Sequence, residues 1–531
     1  MTSAAARRAT PETQVLIVGA GPTGLVLALW LTKSDVRVRV IDKADGPGTT
    51  SRAIIMHARN LEFYAQLGIA QAAIDRGSKV TAANLWVRGK QVARVPFGDL
   101  GVGLSPYPYM LIFPQDEHEQ MLVDELNRVG VKVEYATEFA SFEDTGDGIC
   151  AHLRNGRGSD TSCRATYLAG CDGAHSAVRR RLSVDFPGGT YSDLFYVADI
   201  EADGTVLNGE IHAAIDDTDF LALFPMKGHG RVRLVGDIYQ EPASTRELGW
   251  DDVSRRIVER LGIRVHRVRW FSTYRVHHRV AGVFRRGRAF LLGDAAHIHS
   301  PVGGQGMNTG IGDAVNLAWK LAAVLHGSAK EDVLDTYEPE RISFARTLVK
   351  TTDRGFQFVT ARGYFAKCVR LTLVPWLVPL LLRMSAMRRF LFRTLSQTAL
   401  KYPQSVLSTG VAGKVRGGDR LPWIRFANAR AGVDDNFASL SSRDWLVHSY
   451  GKASPNLRAA CEARAIPLHV FGWEPSMRAA GLKKNAVYVI RPDGHVGLAK
   501  RAGALAVLKR YFNEHDIRGQ ALMPQGRHPR Y

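Results

Sequence analysis

The sequence predicts an α/β chain in which a Rossmann-like dinucleotide-binding domain is interleaved with a β-rich domain. Three observations predict it. A glycine-rich turn, Gly19-Ala20-Gly21-Pro22-Thr23-Gly24, joins an apolar strand to a helix early in the chain. The stretch from Asp185 to Val283 has mostly strand-like character. A strand–turn–helix then returns, with Ala289 to Leu292 running into Gly293-Asp294.

Gln14 to Val18 reads as a buried parallel strand, Leu25 to Lys33 as a helix, and Arg37 to Ile41 as a second strand ending at Asp42. This is the βαβ context in which a GxGxxG turn binds a dinucleotide. Gly19 permits the tight turn, Gly21 lets a pyrophosphate approach the backbone, and Gly24 allows close helix–strand packing. The helix N-terminus offers free N–H groups to phosphate. Asp42 is placed to accept from an adenosine ribose hydroxyl, which favours FAD or NAD over a 2′-phosphorylated cofactor. Arg52, just beyond this unit, is either a solvated charge or a partner for an anionic cofactor.

Further on, Asn60 to Leu67 reads as a helix and Val80 to Phe97 as strand. Phe113-Pro114-Gln115 leads into a helix from Glu117 to Val129, and Val131 to Tyr135 is another strand candidate. Tyr167 to Ala169 enters the turn at Asp172-Gly173, and Ser176 is a plausible cap for a short helix carrying Arg179. In the β-rich stretch the strands are Phe195 to Ile200, Phe220 to Pro225, Arg231 to Ile238 and Trp270 to Val276, with a helical interlude from Trp250 to Leu261. Most of its aromatics, Tyr196, Phe220, Phe224, Tyr239, Trp270 and Tyr274, are expected in a core, with some facing a cofactor. Asp294 lies at the carboxyl end of a strand, where open α/β sheets bind ligands. Pro301-Val302-Gly303-Gly304-Gln305-Gly306 has few bulky side chains, so a flat ring can approach its backbone. Met307-Asn308-Thr309 then opens a helix that runs through Asp313, Leu317, Trp319 and Leu321.

Composition narrows the function classes. The 531 residues leave room for roughly two to four domains. A net charge of +19 suits anionic ligands, and no nucleic-acid motif accompanies it. Cys150, Cys163, Cys171, Cys368 and Cys461 form no CxxC and no metal spacing, so a reducing compartment and no metal are expected. Residues 1–13 lack the apolar core of a signal peptide. The most apolar run, Leu371 to Leu382, is broken by Pro375 and Pro379 and falls short of the roughly 20 residues a bilayer span takes. A cytoplasmic protein with no integral membrane segment is expected.

The three motifs GAGPTG, CDGAHSAVR and GDAAHIHSPVGGQGMNTGIGDA together resemble those of the class A flavoprotein monooxygenases. This is the para-hydroxybenzoate hydroxylase group, and the likeness is strongest to its phenol, hydroxyphenylpropionate and polyketide hydroxylases. The resemblance implies that Gly19, Gly21 and Gly24 hold the ADP part of FAD, with Asp42 on its ribose. Arg52 would serve NADPH use and flavin movement, and Gln115 would contact FAD. Asp172 and Gly173 would serve both FAD and NADPH, supported by Arg179. Asp294 would bind ribitol or pyrophosphate. Pro301, Gly303, Gly304, Gly306, Met307 and Asn308 would border the isoalloxazine. Ser300 and Gly312 depart from the family pattern, where proline and glutamine are frequent.

The implied reaction uses NADPH (NADH as the alternative) and O2. A C4a-hydroperoxyflavin hydroxylates a small phenolic or polycyclic aromatic substrate. Arg52, Pro301, Tyr196 and Tyr274 are the catalytic candidates, with Tyr239 and His212 also considered as the phenol-activating base. An epoxidase or reductase of the same fold acting on a non-aromatic substrate, or a non-catalytic FAD-binding protein, are the competing readings. The expected organisation places the FAD-binding domain at 1–80, 104–184 and 285–355 and the substrate domain at 81–103 and 185–284. A helical connector follows at 356–405, then a thioredoxin-like domain without CxxC at 406–531. The basic, apolar connector reads as packing or dimer helices, with membrane-surface association as the minor reading, and a homodimer stays open.

Overall fold

The structure, a computed structural model, describes residues 12–49, 53–156, 158–216, 219–238, 248–360, 369–430, 433–503 and 505–519. Its first sheet is built on Thr13–Val18, which pairs in parallel with Val38–Ile41 on one side and Asp160–Gly170 on the other. Asp160–Gly170 in turn pairs in parallel with Ala289–Leu291. These central strands are covered on both faces, so Val15, Leu16, Ile17, Leu168 and Phe290 are fully buried and read as continuous apolar runs. Helix Pro22–Thr32 is apolar all round because it lies between this sheet and helix Gly306–Leu325.

This topology positions the site. The three glycine-containing motifs leave the carboxyl ends of three adjacent parallel strands: Gly19 after Val18, Cys171-Asp172 after Gly170, and Gly293-Asp294 just after Leu291. They are far apart in sequence and side by side in space.

The second sheet runs in the order His297–Ile298, Arg264–Val280, Gly188–Asp203, Arg231–Ile238, Phe220–Pro225, Ile211–Ile215, Ala82–Val87, Lys90–Pro96. Because residues alternate across a strand, one face carries Tyr196, Ala198, Ile200, Leu221, Leu223 and Leu234. These pack with Val253, Ile257 and Val258 of the covering segment into a separate core. The other face carries Phe195, Asp199, Phe224, Arg233, Trp270 and Tyr274, matched across the ladder as Phe195 with Tyr274, Asp199 with both Arg233 and Trp270, and Phe224 with Arg233. Phe224, Ile211 and Met226 on this side pack with Ile54, Ile55 and Phe392.

A third sheet near the C-terminus orders Val415–Arg416, Thr409–Ala412, Val496–Lys500, Val487–Ile490, Leu446–Tyr450 and Leu468–Phe471. Helices Pro455–Glu462 and Leu505–Glu514 flank it.

Two elements differ from expectation. The strand read at Tyr167 to Ala169 spans Asp160–Gly170, because its first half pairs antiparallel with Ile149–Asn155, itself paired with Thr137–Asp144. That hairpin was not anticipated. The strand read at Trp270 to Val276 extends to Arg264–Val280, held throughout by Gly188–Asp203. Among the described residues no helix is long and apolar enough to cross a membrane, and no cluster of His, Cys, Asp and Glu could hold a metal ion.

Candidate functional site

Each glycine of the first turn has its own physical reason. Gly19 adopts φ +108°, and a Cβ there would sit 2.3 Å from the Cys171 carbonyl oxygen. A Cβ on Gly24 would meet the Gly19 carbonyl at 2.0 Å. Gly21 differs, since among the described residues nothing beyond its own chain neighbours lies within 4 Å of its Cβ position. It is also the N-cap of helix Pro22–Thr32 and no side chain caps that end. The result is an uncovered helix N-terminus with room above it, which is what an approaching pyrophosphate requires.

The three motifs are also bonded to one another. Thr23 wedges between Gly293 and Gly310, whose Cβ positions would fall 2.7 and 2.3 Å from its Oγ1. Asp172 accepts from Ser176 Oγ at 2.6 Å and from the Ala177 and Val178 amides, while Ser176 Oγ accepts from the Arg179 amide at 2.9 Å. Ser176 is thus the cap the sequence suggested, and the Asp172 carboxylate reinforces it. Arg179 is buried, stacks on Phe186, and donates to the carbonyls of Ala174 and Ala295, so it fastens the second motif to the third. Gly173 (φ +77°) has open space over it. Asp294 is exposed at the mouth of this cluster.

Asp42 ends its strand as expected, with its oxygens accepting from the Ala20 and Ala44 amides at 2.7 and 2.8 Å. Around it lie groups the sequence did not flag. Burial raises the Tyr135 hydroxyl to about 12, with Asp42 and Glu119 adding to the effect. Burial likewise lifts the Glu119 carboxyl above the usual range, with Asp42 and Asp116 pushing the same way. The Tyr135 hydroxyl and Asp116 Oδ1 are buried without a hydrogen-bond partner in the protein. Orphaned polar atoms beside a strand-end acid suit the hydroxyls of an adenosine ribose. Gln115 brackets Ala53, donating its amide to the Ala53 carbonyl and accepting the Ala53 amide at its Oε1. Arg52 lies outside the described residues, as does Tyr239.

The third motif is held rigidly from behind. Gly303 and Gly304 take φ +76° and +63°, and a Cβ on Gly304 would overlap Ile55 at 2.8 Å. Asn308 is fully buried, and its side chain donates to the Ile55 and Gly304 carbonyls and accepts from the His57 amide and Asn60 Nδ2. The Asn308 side chain is thereby engaged in clasping the loop to strand Ile55–Met56. His57 Nε2 donates to the Gly303 carbonyl at 2.8 Å, and burial lowers this imidazole to about 4. His299 Nε2 is buried without a partner and lies 3.7 Å from the Cβ position of Gly306, beside the loop. Pro301 is exposed and Met307 half-buried at its rim.

Beneath the loop, Asp313 accepts from the Gly293 amide at 3.0 Å, from His297 Nε2 at 2.7 Å and from Arg341 Nε at 2.6 Å. Burial alone would raise this carboxyl, but Arg341 and His297 outweigh it and hold it low. A Cβ on Gly312 would approach the Arg341 guanidinium to 3.1 Å.

Tyr196 and Tyr274 are not brought together. Tyr196 is 3% exposed in the core on the far face of the second sheet, stacked on Phe271, while Tyr274 is on the near face against Phe195. Burial raises both phenols well above their ordinary value. His212 is 2% exposed on the Tyr196 side and accepts from Trp86 Nε1 at 3.0 Å. The near face instead presents Asp199, bridged by Arg233 through two hydrogen bonds of 2.6 and 2.7 Å, with Trp270 stacked 5.6 Å from the guanidinium. Pairing across strands, invisible to local pattern, makes this group.

The sequence pattern of the family described as FAD binding domain matches residues 12–352. The chain is 37% identical over 523 residues to a 6-methylpretetramide 4-monooxygenase of Streptomyces rimosus, covering 94% of this chain and 92% of that one. The chain belongs to this FAD-binding family. It is a flavin-dependent monooxygenase, and FAD is its cofactor. The monooxygenase is also 31% identical to a pentachlorophenol 4-monooxygenase of Sphingobium chlorophenolicum, covering 66% of each chain. Among solved structures it superposes on the OxyS anhydrotetracycline hydroxylase of Streptomyces rimosus with TM-score 0.74 at 26% identity, covering 95% of this chain and 99% of that one.

Proposed function

We propose that this monooxygenase hydroxylates a planar phenolic or polycyclic aromatic substrate held between loop 301–306 and the near face of the second sheet. NADPH is the reductant, with NADH as the alternative, and O2 the oxidant. The observation that carries the reading is that near face: Phe224, Trp270 and Tyr274 offer flat apolar surface, and Asp199 and Asp237 are carboxylates on the same side of the sheet. The hydroxylase names of relatives acting on tetracyclic and chlorinated phenols support the same substrate class.

The fit of FAD rests on the open space over Gly21, the uncapped helix N-terminus, and the orphaned polar atoms near Asp42. Gly19, Gly21 and Gly24 form the pyrophosphate turn, while Asp42 and Tyr135 take the ribose. Gln115, Asp172, Gly173 and Asp294 surround the middle of the cofactor. Gly303, Gly304, Gly306 and Met307 border the ring with backbone rather than side chains. Bound there, FAD supplies electron transfer and oxygen activation. The N-terminus of helix Gly306–Leu325 stabilises negative charge at the ring. Arg52 assists reduction by NADPH, and Pro301 shields the rim from water. Asp199, backed by Arg233, accepts the proton of a substrate phenol, the role first considered for Tyr196 and Tyr274.

In domain terms, residues 1–80, 104–184 and 285–355 form the FAD-binding domain, interleaved with the substrate domain at 81–103 and 185–284. Residues 356–405 connect to a thioredoxin-like domain at 406–531 that lacks CxxC chemistry. Asp199→Asn should leave FAD bound and substrate affinity little changed while lowering turnover about 100-fold or more. Turnover at the parent rate would remove Asp199 from the mechanism.

A further inference from the structure

The helices Val374–Leu382 and Ser385–Leu395 carry an outward apolar face that is left uncovered among the described residues. Leu373, Trp376, Leu377 and Leu380 recur at the spacing of one helix face, and all are exposed, Trp376 at 79%. Met384 and Phe390, the latter 65% exposed, continue the patch onto the second helix. Among the described residues this short stretch holds most of the exposed large apolar side chains. It is not a loosely attached end. Phe392 is buried with Ile54, Ile55 and Leu100, and the segment just past the second helix grips the cofactor loop, the Leu395 carbonyl and Gln397 Nε2 both bonding Gln305.

Charge selects the occupant. Between Asp353 and Asp419 the sequence has no acidic residue and eleven Lys or Arg. Arg383, Arg389 and Arg393 are exposed beside the apolar stripe. A second copy docking through a two-fold interface would set these arginines against themselves with no acid in the patch to offset them. The apolar side chains project outward with an indole and a phenyl ring at the crest, the arrangement by which a helix lies in a bilayer interface. Arginines beside such a face add attraction to anionic headgroups.

We infer that this face is a docking surface for an anionic lipid bilayer, which it enters peripherally with Trp376, Leu380 and Phe390 in the headgroup layer and the arginines on lipid phosphates. The FAD-loaded enzyme is sedimented with vesicles of phosphatidylcholine alone and of phosphatidylcholine with phosphatidylglycerol in about equal parts. Binding is expected to the second only, to weaken with added salt, and to blue-shift tryptophan emission by an amount missing in Trp376→Ser. Trp376→Ser/Leu380→Ser and Arg383→Glu/Arg389→Glu should each reduce vesicle binding about tenfold or more while retaining bound FAD and NADPH oxidation. Equal binding to both vesicles, no binding to either, or parent-like binding by the folded variants would overturn the assignment. So would a dimer that Trp376→Ser dissociates, or capture of polyglutamate in place of vesicles.

Discussion

The glycines of the first turn separate what the fold needs from what the cofactor needs. Gly24→Ala drives a methyl group into the Gly19 carbonyl, so the expected outcome is loss of folded protein. Gly21→Ala meets no atom of the described residues beyond its chain neighbours, so this variant should fold with a melting temperature near the parent's apoprotein and bind FAD at least about tenfold more weakly. Flavin titration of the purified apoprotein checks this, and parent-like affinity in Gly21→Ala would move the pyrophosphate elsewhere. Asn308→Ala strips partners from the buried Ile55 and Gly304 carbonyls and the His57 amide. At about 1–3 kcal/mol for a buried group left unsatisfied, it should destabilise the loop markedly, read as a lower melting temperature and faster flavin release. The turn residues were legible in the sequence because their constraints are local. Asp199 with Arg233 was not, because that pair forms between strands and only the ladder register reveals it.

At the scale of elements, the last part of the chain is bound to the flavin domain through buried charge. Arg491 donates twice to Glu340, at 2.7 and 2.9 Å, and to Asp493 at 2.6 Å; Lys320 reaches the same Glu340 at 2.9 Å. Arg59 donates to the Asp493 carbonyl, and Arg420 pairs with Glu62. Arg59 and Glu62 sit on helix Ala58–Leu67, which directly follows the strand clasped by Asn308. Arg491→Met leaves Glu340 and Asp493 buried with fewer partners, and is expected to cost about 3–5 kcal/mol in urea unfolding. Adding Glu340→Gln should recover part of that loss. A double variant as unstable as the sum of its singles would mean that the two residues act independently. Strands with clear patterning were legible, Phe220 to Pro225 and Arg231 to Ile238 among them. The hairpin Thr137–Asp144/Ile149–Asn155 was passed over because its alternation is short and one side is solvated. The clasp between Glu340 and Arg491, 151 residues apart, leaves no local mark at all.

For the whole molecule, acid should destabilise before base does. His57, His118 and His448 are buried, and burial lowers them to about 4, 3 and 3. The unfolded chain binds these protons near pH 6.5 and the folded one does not. Their contribution is thus complete above about pH 6.5 and is lost as pH falls toward 4, by up to about 1.4 kcal/mol per group per pH unit. Asp237, raised to about 6 by burial, and Glu119, raised likewise, work in the opposite direction across the lower part of that window, but the lowered imidazoles outnumber them. Thermal unfolding should therefore fall steeply between about pH 6.5 and 5, and a flat or rising profile there would contradict the neutral assignment of these imidazoles. The order of the three motifs along the chain signalled an FAD site, while their meeting at the ends of three neighbouring strands is a property of the assembled sheet.

The assembled site is proposed to transfer one oxygen atom from O2 to a planar aromatic ring. The most direct measurement is NADPH oxidation by the FAD-loaded enzyme under isotopically labelled O2, with and without a tetracyclic polyphenol, followed by mass analysis of the product. The polyphenol should accelerate NADPH consumption and gain one labelled oxygen for each NADPH consumed. Consumption unchanged by any aromatic compound, with hydrogen peroxide accounting for the NADPH and no label in the ring, would contradict it.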